Sequence, residues 1–351
     1  MENKVHPESN RRGRVVAEFR GGYKVINENG EFFARVTGKK MFNATSREDY
    51  PAVGDWVLID ELLEGQAVIK KILPRKTIIK RKANGKETAQ IIASNIDVAF
   101  VVESLGRDWS LNRLERYFAI AYDGNIKPAV ILNKVDLISK EELEEKISEI
   151  KNRFADVDII ATSSYENIGI DELLKYIEPG KTYCFLGSSG VGKSSLINKL
   201  LGKDVIKTEE ISFYANRGRH VTTARQIYFL PALSGVEGEN GGVVIDNPGM
   251  REVGMADSRI GVDSLFNEMA ELAVGCKFSN CTHTNEKGCK ILEAVEAGEI
   301  DKEKYLNYLN LKKEADFYEM SEIEKKEKEK DFGKMVKGAK KTLKNIGHKD
   351  Y

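Results

Sequence analysis

Short apolar runs separated by turn residues occupy the first part of the chain, from about Gly13 to Leu73. The runs are rich in β-branched and aromatic side chains, and Gly21-Gly22, Asn29-Gly30, and Pro51 with Gly54 separate them. Such runs predict about five strands. Five short strands within roughly sixty residues are typical of a small closed barrel such as an OB-fold, although another small β-domain without a ligand fits the same spacing.

The pattern changes to alternating strands and helices between Ile91 and about Gly254. Asp97–Val102 and Ala129–Leu132 are nearly continuous apolar runs, and the segment between them carries apolar residues at helical spacing. This alternation predicts a mainly parallel sheet with helices on both faces. Further strands are expected at Val157–Ala161, Tyr183–Leu186, Ile227–Leu230 and Val243–Ile245, and helix caps at Ser110 and Ser139.

Beyond about Ile260 the pattern is helical and charged around one cysteine-rich stretch, and the sequence ends in a lysine-rich tail. The three textures predict a multidomain α/β protein. We expect an OB-fold-like β-barrel at residues 1–75, an α/β domain at residues 76–257 and a helical domain with a basic tail at residues 258–351.

Composition narrows the class of protein. The chain has 351 residues, 41% of them hydrophobic, with 55 basic and 55 acidic side chains. Its length suggests several domains, its apolar content excludes a wholly disordered chain, and its zero net charge argues against a simple polycation. It has no apolar run of about 18 residues, and Met1 to Gly30 lacks a signal-peptide core. We therefore expect a soluble, cytoplasmic protein without a membrane span.

A glycine-rich sequence after the apolar run Tyr183–Leu186 satisfies the phosphate-binding pattern GxxxxGK[ST]. Glycines let the backbone curl so that its N–H groups point inward, and the N-terminus of the next helix adds positive potential. We expect Lys193 to neutralise the β- and γ-phosphates of a nucleotide and the Ser194 hydroxyl to ligate Mg2+. The predicted nucleotide-binding residues are Gly187, Ser188, Ser189, Gly190, Val191, Gly192, Lys193, Ser194 and Ser195.

The choice of nucleotide depends on a second motif, NKxD, at the end of the apolar run Ala129–Leu132. The carboxylate of Asp136 would accept two hydrogen bonds from guanine, and adenine offers no such pair of donors. In combination with the phosphate-binding sequence on the same sheet, this motif predicts GTP. The residues concerned are Asn133, Lys134, Val135 and Asp136, and Thr162, Ser163 and Ser164 fit the loop that backs the base.

The phosphate-binding sequence Gly187–Ser194 is called the P-loop. The residues that bind Mg2+ and the γ-phosphate are expected in two segments after the helix that follows the P-loop. Asp246 and Gly249 form a DxxG element, in which Asp246 would hold Mg2+ through water and the Gly249 N–H would sense the γ-phosphate. Thr222 and Thr223 lie in a long polar stretch where a switch segment should supply a Mg2+-ligating hydroxyl. The sequence does not choose between the two threonines.

The order of these motifs differs from that of a conventional small GTPase, in which the phosphate-binding sequence comes first and NKxD and then the base loop come last. Here NKxD and the base loop precede the P-loop, so the same sheet can form only if the chain is circularly permuted. The strand that bears DxxG is then the last of the domain. The second switch therefore runs almost directly into the C-terminal region.

Three cysteines and one histidine lie close together in the sequence, with the spacing C-x4-C-x-H-x5-C. Three thiolates and an imidazole complete a tetrahedral shell with no open position, which indicates one structural Zn2+ rather than a catalytic metal. Disulfides are the alternative, but a reducing compartment disfavours them. The expected ligands are Cys276, Cys281, His283 and Cys289.

These features together resemble one known family. Arg116-Tyr117, Leu132–Asp136, Gly218-Arg219-His220 and Asp246–Glu252 closely resemble sequences of the circularly permuted ribosome biogenesis GTPases, specifically the ribosome-small-subunit-dependent GTPase A family. The resemblance spans nearly the whole chain, and the same cysteine and histidine spacing is a zinc site in that family. One departure is Val221, where the family usually carries a threonine.

The resemblance implies an enzyme that docks on the small (30S) ribosomal subunit late in its maturation, contacts 16S rRNA and hydrolyses GTP to GDP and phosphate. The subunit is expected to stimulate hydrolysis, because Met250 stands where Ras-like enzymes carry a water-orienting glutamine. His220 is the candidate for positioning the water, and the family points to it as well. A switch histidine that contacts only the ribosome, or nothing, is the alternative.

Two basic segments are candidates for contact with rRNA. One contains Lys76, Lys80, Arg81, Lys82 and Lys86 without any acid, and the other is the lysine-rich C-terminal tail. Each fits either contact with rRNA phosphates or a solvated segment. An RNA-binding scaffold with a mainly structural nucleotide and a signalling GTPase with a protein effector are the competing functions, and we expect a monomer.

Overall fold

The computed structural model of the chain describes residues 11–38, 46–82, 89–106, 109–154, 156–206, 225–231, 240–246, 259–320 and residue 324. The strands are β1 (Arg11–Phe19), β2 (Gly22–Asn27), β3 (Gly30–Val36), β4 (Trp56–Glu61), β5 (Gln66–Ile72), β6 (Ile78–Lys82), β7 (Ala89–Ser94), β8 (Val98–Ser104), β9 (Lys127–Asn133), β10 (Ile159–Thr162), β11 (Thr182–Leu186), β12 (Gln226–Pro231) and β13 (Asn240–Asp246). The helices are α1 (Leu111–Asp123), α2 (Lys140–Arg153), α3 (Ile170–Tyr176), α4 (Lys193–Leu201), α5 (Arg259–Leu265), α6 (Asn267–Val274), α7 (Lys290–Glu296) and α8 (Lys302–Glu319).

Strands β1 to β5 close into a small barrel. β1 pairs antiparallel with both β2 and β4, β2 pairs with β3, and β5 lies between β3, to which it is parallel, and β4. Apolar side chains that alternate along the strands fill the interior, as a closed sheet requires. Val15, Val25, Val57, Ile59 and Ile69 are fully buried there. The predicted five-stranded barrel is confirmed.

The second part of the sheet has the order β10-β9-β8-β11-β13-β12. Its strands are parallel except β12, which runs antiparallel to β13. Apolar clusters cover both faces: one contains Val101 and Ile245 with α1, and the other contains Phe100 and Val244 with α4. The predicted mainly parallel sheet between helices is therefore confirmed. The carboxyl ends of its parallel strands form the edge at which such sheets bind ligands.

The helix termini follow the sequence with one exception. Ser139 caps α2 and forms the predicted capping box with Glu142. Ser110 occupies the position before α1, but its side chain makes no capping hydrogen bond. Within the described part of the chain, no helix is both long and apolar enough to cross a membrane.

The barrel and the second part of the sheet are joined by hydrogen bonding. β1 pairs antiparallel with β12, with Ala17 opposite Gln226, so that both parts belong to one sheet of eleven strands. The register of β1 shifts between Val15 and Ala17, which marks a bulge. A bulge bends the strand, and here it divides the part of β1 that pairs with β4 from the end that pairs with β12.

The basic connector forms the antiparallel hairpin β6–β7, which the sequence pattern did not predict. Asp55 of the barrel is fully buried and accepts hydrogen bonds from Arg75 Nε (2.8 Å), Arg75 Nη2 (2.7 Å) and Ser94 Oγ (2.6 Å). The backbones also pack closely, since a Cβ added to Gly54 would lie 2.1 Å from the Ser94 carbonyl oxygen. We call Gly54, Asp55, Arg75 and Ser94 the barrel–hairpin junction, and it holds the hairpin firmly to the barrel.

The C-terminal helices pack against α1. α5 approaches α1 so closely that a Cβ added to Gly261 would lie 2.0 Å from the Ala119 carbonyl oxygen. Only glycine fits such a backbone contact. α5 is the first described element after β13, and this close packing fixes it against α1.

Charged groups fix α8 to the same helix. Glu115 of α1 is fully buried and accepts hydrogen bonds from Arg153 Nε (2.7 Å) and from the Asn307 amide of α8. Burial raises the pKa of Glu115, and the hydrogen bond from Arg153 lowers it in part. Arg116 donates to Glu314 Oε2 of α8 at 2.9 Å. The C-terminal helices are therefore bound to α1 by a buried carboxylate and a partly buried ion pair.

We predict that Arg75→Ala destabilises the barrel by about 3 kcal/mol, because it leaves the buried Asp55 carboxylate without its cation. Lys70→Ala is the matched control, since Lys70 pairs with Asp60 at 2.7 Å where both side chains are nearly half exposed. Exposed pairs contribute about 1 kcal/mol or less. Urea denaturation measures both free energies of unfolding, and equal losses would contradict the buried pair's structural role.

Candidate nucleotide-binding and metal-binding sites

The P-loop, Gly187–Ser194, connects the end of β11 to the start of α4, as predicted. Gly187, Gly190 and Gly192 all have positive φ angles, of 139°, 80° and 99°. Lys193 Nζ donates to the carbonyl oxygens of Gly187 (2.8 Å) and Ser188 (2.6 Å), so the loop curls around the ammonium group. A loop of this shape at a helix N-terminus is suited to binding phosphate.

Asn133 joins this loop to the NKxD segment. Its side chain is fully buried; Nδ2 donates to the Val191 carbonyl oxygen at 2.8 Å, and Oδ1 accepts from Thr162 Oγ1 at 3.1 Å. Lys134, with a positive φ of 65°, donates through Nζ to the Gly190 carbonyl oxygen at 2.7 Å. Three segments that are distant in sequence are thereby fixed against one another.

Asp136 presents an acceptor without a partner. It lies in the short 3-10 helix Val135–Leu137, and its Oδ1 atom is shielded from solvent with no hydrogen-bond partner among the described residues. A buried carboxylate oxygen without a donor is costly. The N–H groups of a guanine base would satisfy it, which fits the predicted role of this residue.

The base-loop residues lie beside this segment. Thr162 ends β10, and Ser163 is fully buried, with its N–H bonded to the Ile168 carbonyl oxygen at 2.9 Å. The Ser163 hydroxyl accepts from the Glu166 N–H at 3.0 Å. Ser164 Oγ approaches Gly192 of the P-loop, because a Cβ added there would lie 3.9 Å away from it. The structure thus brings the predicted base loop to the P-loop.

Asp246 ends β13, the strand next to β11. It is almost fully buried; burial raises its pKa, and the positive charge of Lys193 lowers it in part. Ser194 and Ser195 occupy the first turn of α4 and are half-buried. The shared role of Asp246 and Ser194 at Mg2+ stays a prediction from the sequence.

The predicted switch residues lie outside the described residues. These are His220, Thr222, Thr223 and Gly249, together with Val221 and Met250. Their predicted roles remain predictions from the sequence.

The four predicted metal ligands form a compact cluster. Cys276, Cys281, His283 and Cys289 place their ligand atoms within 4.8 Å of one another. Cys276 Sγ lies 3.7 Å from His283 Nδ1 and 3.9 Å from Cys289 Sγ, which lies 3.5 Å from His283 Nδ1. A tetrahedral zinc site with Zn–S bonds of about 2.3 Å has edges near 3.8 Å. A disulfide would need about 2.05 Å, and Cys276, Cys281 and Cys289 are all free thiols, so the cluster fits zinc better than a disulfide.

The loop that carries the histidine has its own support, which the sequence did not reveal. Glu286 accepts hydrogen bonds from the backbone N–H groups of Thr282 (2.7 Å), Thr284 (3.0 Å) and Asn285 (3.1 Å). The hydrogen bond from the Thr282 hydroxyl, together with those from the Thr282 and Asn285 N–H groups, lowers the pKa of Glu286. His283, between the first two of these N–H groups, has a positive φ of 59°, which a non-glycine residue adopts only when it is held there.

A second support comes from α8. Tyr305 is buried, and its hydroxyl donates to the His283 carbonyl oxygen at 2.7 Å. The buried Tyr308 ring lies 6.4 Å from the His283 ring. The metal cluster is thereby packed on the helix that also contacts α1. Neither tyrosine has a sequence signal that distinguishes it from a core residue of α8.

Comparison with known proteins finds one family and relatives that cover nearly the whole chain. The family model described as RsgA GTPase matches residues 72–256. A curated relative named small ribosomal subunit biogenesis GTPase RsgA 2, from Lactiplantibacillus plantarum, is 40% identical over 96% of this chain and 93% of its own. Small ribosomal subunit biogenesis GTPase RsgA 1 from Bacteroides thetaiotaomicron is 38% identical over 95% of this chain and 91% of its own.

Solved structures show the same architecture. The crystal structure of YjeQ from Thermotoga maritima aligns with a TM-score of 0.61 and 27% identity, over 87% of this chain and 98% of that one. The structure of YloQ, described as a circularly permuted GTPase, aligns with a TM-score of 0.60 and 21% identity, over 92% of this chain and all of that one. The predicted family resemblance and the predicted permuted fold are confirmed.

We predict that Glu286→Gln weakens zinc binding by the cluster about 10- to 100-fold, because groups that orient metal ligands typically contribute that much to affinity. Glutamine keeps the size of the side chain but loses the charge that accepts three N–H groups. Glu293→Gln is the matched control, since Glu293 in the next helix pairs with the half-exposed Lys290. Competition for zinc with a chromophoric chelator measures both affinities, and equal values would contradict the proposed support.

Proposed function

The chain belongs to the RsgA family of GTPases, and we propose that it binds the small ribosomal subunit and hydrolyses GTP to GDP and phosphate during late maturation of that subunit. Membership makes it a GTP hydrolase of small-subunit biogenesis. The timing of its action, its stimulation by the subunit and its contact with 16S rRNA are the proposed parts.

The observation that carries the proposal is the position of Asp136. Its unpartnered acceptor lies on the segment that Asn133 and Lys134 fix to the P-loop. A ligand with donors on a planar base and with phosphates farther along would satisfy both features. Guanosine triphosphate has this form, and adenine would leave the carboxylate unsatisfied.

The residues near the phosphates would have different roles in hydrolysis. Lys193 would exchange its two carbonyl partners for phosphate oxygens and neutralise their charge. Mg2+, when bound, supplies further positive charge to the phosphates, and the residues that would hold it are Ser194, Asp246 and either Thr222 or Thr223. The Gly249 N–H would contact the γ-phosphate.

Hydrolysis itself needs help from the partner. Met250 cannot orient a water molecule, so His220 is the proposed water-positioning residue. A side chain on a switch segment can be brought into place when a partner orders that segment. This dependence supports stimulation by the small subunit.

The remaining elements support docking. Zn2+ held by Cys276, Cys281, His283 and Cys289 would be structural, because four protein ligands leave no open position. The barrel, the hairpin β6–β7 and the basic tail would contact rRNA phosphates. We propose that the protein acts in the cytoplasm as a monomer, with the domain boundaries expected above.

Turnover of GTP with and without purified small subunits tests this function. We expect strong stimulation that falls as salt is raised, because contacts to phosphates weaken with salt. His220→Ala should lower the stimulated rate sharply while GTP affinity stays nearly unchanged. A rate that subunits do not change would favour the scaffold or signalling alternatives, and unchanged stimulation of the variant would exclude His220.

Guanine recognition gives a separate prediction. Asp136→Asn should weaken GTP binding by at least about 100-fold, because the amide cannot accept both base hydrogen bonds. It should also improve binding of xanthosine triphosphate, whose second carbonyl can accept from the new amide. Asp171→Asn, on the exposed start of α3, is the control. Titration with fluorescent nucleotides measures the affinities, and unchanged GTP affinity in Asp136→Asn would refute guanine recognition by this residue.

A further inference from the structure

Strand β1 is shared by the barrel and the second part of the sheet. Its first residues, Arg11 to Arg14, close the barrel by pairing with β4, and its end pairs with β12. The bulge between Val15 and Ala17 separates the two parts. A displacement of the barrel therefore acts directly on the strand beside β13.

The register of these strands connects Ala17 of β1 to Asp246, the candidate Mg2+ residue. Ala17 lies opposite Gln226, and Gln226 lies opposite Asp246. The three residues form one row across β1, β12 and β13, about 10 Å long at the usual strand spacing. No side-chain relay is needed along this row, because hydrogen-bonded backbones are stiff elements that carry displacement.

Side-chain contacts link β1 to the neighbouring sheet at two further points. Arg225 Nη1 lies 3.3 Å from Glu18 Oε2, and both side chains are partly buried. Arg225 is also three residues after Thr222 and two after Thr223. On the other side of the row, the buried Arg14 donates through Nη2 to Thr182 Oγ1 at 2.7 Å.

Arg14 is anchored at the strand that leads to the P-loop. Thr182 begins β11, and its N–H donates to Asp97 Oδ2 at 2.8 Å. Burial lowers the pKa of Arg14 to about 10, while the nearby Asp97 carboxylate acts against this change. The buried Arg14 therefore ties β1 to the start of β11, in addition to the pairing of β1 with β12.

We infer, on the basis of the proposed function, that the barrel controls subunit-stimulated hydrolysis through the row Ala17–Gln226–Asp246, with Glu18 and Arg225 as its positioning residues. When the barrel docks on the small subunit, β1 is held, and the Glu18–Arg225 pair holds the start of β12 in register with it. Asp246 is thereby set in position at the phosphates. Glu18 touches neither nucleotide nor subunit in this scheme.

Single-turnover and steady-state GTP hydrolysis with saturating small subunits test the row. Glu18→Gln should lower the stimulated kcat about two- to five-fold, the range that a partly exposed ion pair supports. The KM for GTP, the affinity for the subunit and the rate without subunits should stay within about two-fold of the wild type. Glu31→Gln is the matched control, because Glu31 pairs with Lys24 in the same barrel but away from β12.

Charge exchange separates positioning from a contact with the partner. Glu18→Arg should reduce stimulation further than Glu18→Gln, and the double variant Glu18→Arg with Arg225→Glu should restore it. A ribosomal contact of Glu18 would not be restored in this way, so failure of the double variant overturns the inference. Equal stimulation of wild type and Glu18→Gln also overturns it. A wild type without any stimulation would instead contradict the proposed function itself.

Discussion

The candidate nucleotide site depends on the buried amide of Asn133. One side of this amide donates to the P-loop at Val191, and the other accepts from Thr162 at the end of the next strand. The contact is so close that Gly192 cannot carry a side chain, because its Cβ would lie 2.2 Å from Asn133 Nδ2. This amide joins the phosphate loop, the NKxD segment and the base loop directly, in addition to the strand pairing beneath them.

Much of this arrangement could be predicted because it is local in sequence. The P-loop and the metal cluster are each formed within one short segment, so residue types and spacing determine their chemistry. The edge of a parallel sheet then brings NKxD and Asp246 to the same place, since their strands are recognisable as apolar runs. The described residues agree with these placements, and the family comparison agrees with the permuted order of the motifs.

The parts that sequence did not predict depend on contacts between distant or unremarkable residues. The pairing of Ala17 with Gln226 joins positions more than two hundred residues apart, and nothing in either strand marks the other as its partner. Glu286 resembles any exposed acid until the loop around His283 is seen. The hairpin β6–β7 was not predicted, because its lysines and arginine fit a solvated loop or a phosphate contact equally well and neither interpretation requires strand pairing.

The barrel–hairpin junction changes how a partner can be recognised. A flexible connector would make the barrel and the GTPase domain two tethered ligands, and their joint binding would depend on effective concentration. A rigid junction built on Asp55 and Arg75 removes the freedom of the barrel relative to the hairpin before binding, so that part of the ordering entropy is not lost on docking. The distance between the binding surfaces of the barrel and the GTPase domain is then fixed. A partner can engage both only if its own two binding surfaces are the same distance apart.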